Sequence, residues 1–210
     1  MQFSKLVSAI GLGACLAVLR GASSAGPTEE RLPLSSLDEA CSLQKRWIGI
    51  WPSQQYGVML RCNGADFFMT HPNNLLGHVH IRTPEQALEY VRLLSSTDTY
   101  ALFSFGGMVE VVPHVSSQQS ARFNSIPAKV FQRWKLTPAT ASEIDNHPCK
   151  PTLDLVCGKE FKVIRTVVFS NQRVYEVVES VGEHGFYSLM SKKLLLKDAS
   201  RIGIFHFGDV

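Results

Sequence analysis

The chain has 210 residues, 45% of them hydrophobic, and a formal net charge of +3. That length suits one domain with a sizeable core. With Lys5 and Arg20 removed in the N-terminal segment described next, the charge falls to +1. No basic run is interleaved with aromatics, so nucleic acid finds no support as a partner.

Residues 1–25 read as a secretory signal peptide. Lys5 gives a positive start, and Leu6 to Leu19 form an uncharged run too short for a comfortable membrane span. Ser23-Ser24-Ala25 supplies small residues that place cleavage after Ala25. The rival reading, a lipoprotein signal modified at Cys15, leaves only about nine apolar residues after Lys5. The expected address is secreted or periplasmic, with no stable membrane anchor once the signal is gone. Residues 26–35 read as a short polar leader, and 36–210 as a single domain.

Beyond the signal stand Cys41, Cys62, Cys149 and Cys157. An even number in an exported chain reads as disulfides. Three pairings exist; Cys41–Cys62 and Cys149–Cys157 close the short loops. No Cys-x-x-Cys occurs, which argues against a redox enzyme or a zinc ribbon.

In chain order, Ser36-Leu37-Asp38-Glu39 has a capping-box pattern and predicts a helix over 37–46. Asn63-Gly64 between two apolar runs predicts a hairpin with strands at 57–62 and 65–70. Residues 78–82 read as a short strand. Thr83-Pro84-Glu85-Gln86 then opens a helix to Leu94, with Ala87, Leu88, Val91 and Leu94 inside and Glu85, Glu89 and Arg92 in water. Runs at 100–105 and 108–112 flank Gly106-Gly107, a second expected hairpin. Residues 113–136 read as loop with one strand near 129–134, and Thr137-Pro138 as the start of a short helix ending near 146. Strands follow at 161–169, 173–181, 186–190 and 201–207. The expected fold class is α+β: a mostly antiparallel sheet of hairpins with two or three helices packed on one face.

Chemistry is sparse in the pattern. His78 and His80, two residues apart on a strand, point to one face and could chelate one ion. A zinc site needs at least one more protein ligand, and none of His71, His114 or His147 has diagnostic spacing. No G-x-S-x-G elbow is present. Cys149 beside His147 is expected to be bridged, and a bridged sulfur cannot attack. Glu110, Glu176 and Glu179 read as the solvated faces of strands. Trp51 and Tyr56, beside a proline and two glutamines, could form an aromatic platform for a ligand.

The sequence therefore points to an exported, non-catalytic binding protein that needs no cofactor. Another protein is the expected partner, and an inhibitor- or immunity-like role fits. The alternatives are a secreted metal-dependent hydrolase using His78 and His80, and a sugar- or peptide-binding module using Trp51 and Tyr56.

Overall fold

The computed structural model describes residues 30–47, 56–69, 72–95, 108–114, 123–144 and 158–204. The chain order is β1 (Glu30–Leu32), β2 (Cys41–Trp47), β3 (Tyr56–Cys62), β4 (Ala65–Phe68), α1 (Pro84–Leu94), β5 (Val109–Pro113), β6 (Asn124–Ile126), α2 (Ala128–Arg133), β7 (Thr140–Ile144), β8 (Glu160–Val168), β9 (Val174–Gly182) and β10 (Tyr187–Leu196). Two short 3-10 turns, Pro72–Leu75 and Ala199–Ile202, complete it. The first four strands form an antiparallel sheet in sequence order. The other six form a second sheet, β10-β9-β8-β5-β6, with β7 also paired to β8.

This overturns the α+β expectation. The protein is predominantly β, with two sheets and only two short helices among the described residues. Two segments expected as helices are strands. In 37–46 the polar caps make turns instead: the Leu37 amide donates to the Leu34 carbonyl and the Cys41 amide to that of Asp38. From Cys41 onward, Cys41 and Leu43 are buried while Ser42 and Gln44 are half-buried, a period of two that suits a strand. At 137–146 the would-be cap is used elsewhere. The Thr137 amide donates to Thr166 Oγ1 at 3.0 Å, and that hydroxyl donates back to the Thr137 carbonyl. Thr137 is thereby fastened to β8, and the residues after it pair as β7.

Other boundaries moved as well. The strand expected near 129–134 is α2, and the start of the strand expected at 201–207 is a 3-10 turn capped by Asp198. The strand at 78–82 shrinks to one antiparallel bridge, Leu37 to Val79. Glu30–Leu32, inside the segment read as a leader, is strand β1 on β2. The partner strand expected for β5 at 100–105 lies outside the described residues; β5 pairs parallel with β6 and antiparallel with β8.

The Asn63-Gly64 hairpin forms as read, with φ of 50° and 79° at the two turn residues. So does α1. Thr83 Oγ1 accepts from the Gln86 amide at 3.3 Å, and Gln86 Oε1 accepts from the Arg82 amide at 2.8 Å. Its buried face is Ala87, Tyr90, Val91 and Leu94, with Leu88 only partly covered. Thr83→Ala should lower stability by about 1 kcal/mol. A urea melt whose midpoint does not move would show that the cap is dispensable.

One core joins the first sheet, α1 and one end of the β8–β9 ribbon: Leu43, Leu60, Val79, Val91, Phe161 and Val181 all belong to it. A second gathers at the ribbon's other end, where Val168, Val174 and Leu196 meet Val111, Phe131 and Ile202. The turn between β9 and β10 locks residues 75–81 in place. The Ile81 amide donates to the Glu183 carbonyl, the Gly77 amide to that of His184, and the Tyr90 hydroxyl to that of Gly185. Gly185 has φ +88°, and a Cβ there would lie 2.5 Å from Val79 Cγ2, so only glycine fits the approach.

Candidate functional site

Three kinds of site arise from this framework. The first is a corner where β2, β3 and the 78–80 segment converge. Register places Cys41 directly opposite Cys62, and the two are disulfide-bonded, as the short-loop argument expected. The second expected bridge, Cys149–Cys157, lies outside the described residues. His78 is carried to the same corner by the Asp38 amide, which donates to its carbonyl at 3.0 Å. Its Nδ1 lies 3.7 Å from Cys62 Sγ and 3.9 Å from Cys41 Sγ. Among the described residues, these three are the group with metal-ligating atoms in mutual reach. An open pocket of about 500 Å³, lined in part by Arg31, Leu34, Asp38, Glu39 and Cys41, leads to Cys41.

His80 goes elsewhere. It is exposed, with Nε2 3.0 Å from Asp38 Oδ1 and its ring edge-on to His184 at 5.6 Å between centroids. The two histidines of the sequence motif thus acquire different neighbours: sulfur for one, a carboxylate for the other. Of the aromatic pair, Tyr56 stands opposite Trp47 in the β2–β3 register, while Trp51 lies outside the described residues.

The second site is a buried ionic seam that the sequence reading missed. Arg165 Nε and Nη2 donate to the two Glu179 oxygens at 2.7 Å each, and Nη1 donates to Ser95 Oγ at 2.6 Å. Glu110 lies 3.6 Å from Arg165 Nη1 and accepts a bidentate pair from Arg92 at 2.8 and 2.9 Å. The Tyr187 hydroxyl donates to Glu179 at 2.8 Å. Arg165 and Glu179 are 1% and 0% exposed and Glu110 2%, so neither glutamate is on a solvated strand face. Arg92, read as facing water, is half-buried and turned onto Glu110. Glu176 is half-buried and accepts from Thr137 Oγ1.

Burial alone would lower the Arg165 pKa, but Glu179 and then Glu110 outweigh it and hold the guanidinium above its ordinary value. Burial, followed by Glu179, pushes the Tyr187 hydroxyl well above its ordinary range, and burial does the same to Tyr90. These groups stay in one protonation state around neutrality and donate fixed hydrogen bonds. A signal for them existed: Arg165 shares strand parity with Phe161, Val163 and Val167, and Glu179 with Val177 and Val181.

The third is the β10 edge. Leu189 to Leu194 are six consecutive exposed residues, so both faces of the strand are open. Among the described residues β10 is bonded on one side only, by β9. Leu189, Met190 and Leu194 are exposed large apolar side chains, Met190 at 57%. Lys192 and Lys193 sit among them, with Lys192 Nζ 5.5 Å from the Phe169 ring centre and 5.7 Å from that of Tyr175. Register shifts at Leu189/Ser191 and Leu194/Leu196 bulge the strand twice.

No family model matches the chain, and no curated protein or solved structure matches it. No helix among the described residues is long and apolar enough to cross a membrane.

Proposed function

We propose that the chain is an exported, non-catalytic binding protein whose partner is another protein, engaged along β10. Export is supported by the signal pattern of residues 1–25 and by the Cys41–Cys62 bridge, a bond that persists in oxidising compartments. A non-catalytic role is supported by the way the buried carboxylates are taken up by arginines: Glu179 by Arg165, Glu110 by Arg92.

The observation that carries the reading is the run Leu189–Leu194. An edge strand with open faces and three large apolar side chains is a surface that a partner would cover. Bulges and lysines are also what proteins use to stop edge strands from pairing indiscriminately. Lys192 and Lys193 oppose the docking of a second copy edge to edge by like-charge repulsion. They favour a partner strand or loop that brings acidic side chains beside apolar ones. An inhibitor- or immunity-like task uses such a surface.

A photo-crosslinking residue at Met190, with Lys129 on α2 as an exposed control, tests this in the exported fraction. The expected result is a discrete adduct from position 190 and none from 129. Charge reversal at both lysines (K192E with K193E) should weaken that adduct by about tenfold. Equal labelling from both positions, or an adduct indifferent to the reversal, would remove β10 as the binding edge.

A further inference from the structure

We propose that reduction of the Cys41–Cys62 bridge converts this corner into a three-ligand site for a zinc-class divalent cation, with His78 Nδ1 as the third ligand. The inference does not depend on the β10 reading.

With Zn–S near 2.3 Å and Zn–N near 2.0 Å, a tetrahedral ion requires S···N separations of about 3.5 Å and an S···S separation of about 3.8 Å. His78 Nδ1 already lies 3.7 and 3.9 Å from the two sulfurs, so the imidazole is placed within a few tenths of an ångström of its ligating position. Once unbonded, the sulfurs need only relax to ordinary van der Waals contact.

The frame survives the break. Six further register pairs, Ser42↔Arg61 through Trp47↔Tyr56, hold β2 against β3. The Asn63-Gly64 turn and the bidentate Arg61–Asp66 pair fix β3 against β4. His78 is held by the bridge to Leu37 and by the clamped β9–β10 turn, neither of which involves sulfur. The reduced cysteines therefore stay opposite each other and beside His78. The sulfurs are buried, yet a pocket whose charged lining is Arg31, Asp38, Glu39 and Glu89, acidic on balance, opens onto Cys41 and gives a cation a way in. With three protein ligands, water would complete the tetrahedron, the arrangement of a three-ligand zinc centre.

A dithiol reductant supplies two electrons and two protons, becomes a cyclic disulfide, and leaves two thiols where the Cys41–Cys62 bond was. The cation then displaces both thiol protons to solvent, forming two metal–sulfur bonds and one metal–nitrogen bond. In the oxidised protein the sulfurs lack the negative charge the ion requires, so the bridge acts as the gate.

The test uses the full chain with Cys15, Cys149 and Cys157 replaced by serine, so that only this corner supplies thiols. Cobalt(II) is titrated before and after reduction by a phosphine, with zinc as the displacing ion. Reduced protein should take up one cobalt, with a thiolate-to-cobalt charge-transfer band and tetrahedral visible bands, both erased by zinc; oxidised protein should show neither. His78→Ala should weaken binding at least about tenfold, and His80→Ala should leave it unchanged. Several outcomes would overturn the site: equal uptake by both redox forms, bound cobalt without the sulfur band, a His78→Ala titration identical to the parent, or uptake only after the β circular-dichroism signal is lost.

Discussion

Replacing Arg165 with methionine should lower stability by about 3–5 kcal/mol, the largest loss expected of any single substitution here. The reason is what stays behind. Glu179 is fully buried and takes two charge-assisted hydrogen bonds from Arg165; without them its carboxylate keeps, among the described residues, the Tyr187 hydroxyl. Glu110 keeps Arg92 but loses its second positive neighbour, and Ser95 loses the donor at its hydroxyl. Methionine fills much of the volume, so the cost is electrostatic rather than a cavity. The double replacement Arg165→Met with Glu179→Leu removes the orphaned charge along with its partner and should recover most of the loss. Urea melts of the two variants decide the matter. If the double variant is as unstable as the single one, packing around Arg165 sets the cost instead of the uncompensated glutamate.

Removing the Cys41–Cys62 bridge should cost about 3 kcal/mol, the chain-entropy value for a loop of its 21-residue separation. The Cys41→Ala/Cys62→Ala protein is the appropriate variant, because a single replacement leaves a buried thiol free to exchange. Chemical denaturation of parent and variant under non-reducing conditions measures the difference. A loss under about 1 kcal/mol would mean that β2 and β3 are held together in the unfolded chain by something other than the bridge. The bond lies within one sheet, between directly opposed residues. Its loss should therefore leave the folded register of β2 on β3 in place, held by the six remaining pairs, and act mainly by freeing the unfolded chain.

What the sequence made legible were features with a local chemical cause. Asn-Gly fixes a turn through backbone preference, Thr-Pro-x-Gln caps a helix with its own side chains, and two cysteines separated by a short loop find each other. The long Val-rich strands β8 and β9 were legible by composition, and β10 was found but drawn too short, because Ser191-Lys192-Lys193 interrupts the apolar run. The failures came where tertiary contacts decide. Ser36–Glu39 satisfies a capping pattern, yet the chain after it is bound opposite β3. Thr137-Pro138 looks like a helix start, yet Thr166 claims Thr137. Glutamates on strands were read as solvated because most are. Glu110 and Glu179 are not, and the clue was an arginine in the apolar register of β8. His78 and His80 were seen as a pair by spacing; the structure sends one to sulfur and the other to Asp38.

The ionic seam has a bearing on how the molecule can be assembled. Each buried glutamate is paired with an arginine from its own neighbourhood in the chain: Glu179 with Arg165, 14 residues away, and Glu110 with Arg92, 18 residues away. The wider link, Arg165 to Glu110, spans a longer stretch of chain and goes with the two-residue pairing of β5 on β8. Closing short loops costs less entropy than closing long ones, so local pairs have the head start. The seam thus consists of two units, each neutral in itself, that come together at the docking of β5. Connectivity spares the chain any stage at which a lone charge would have to enter a dry interior ahead of its counter-ion.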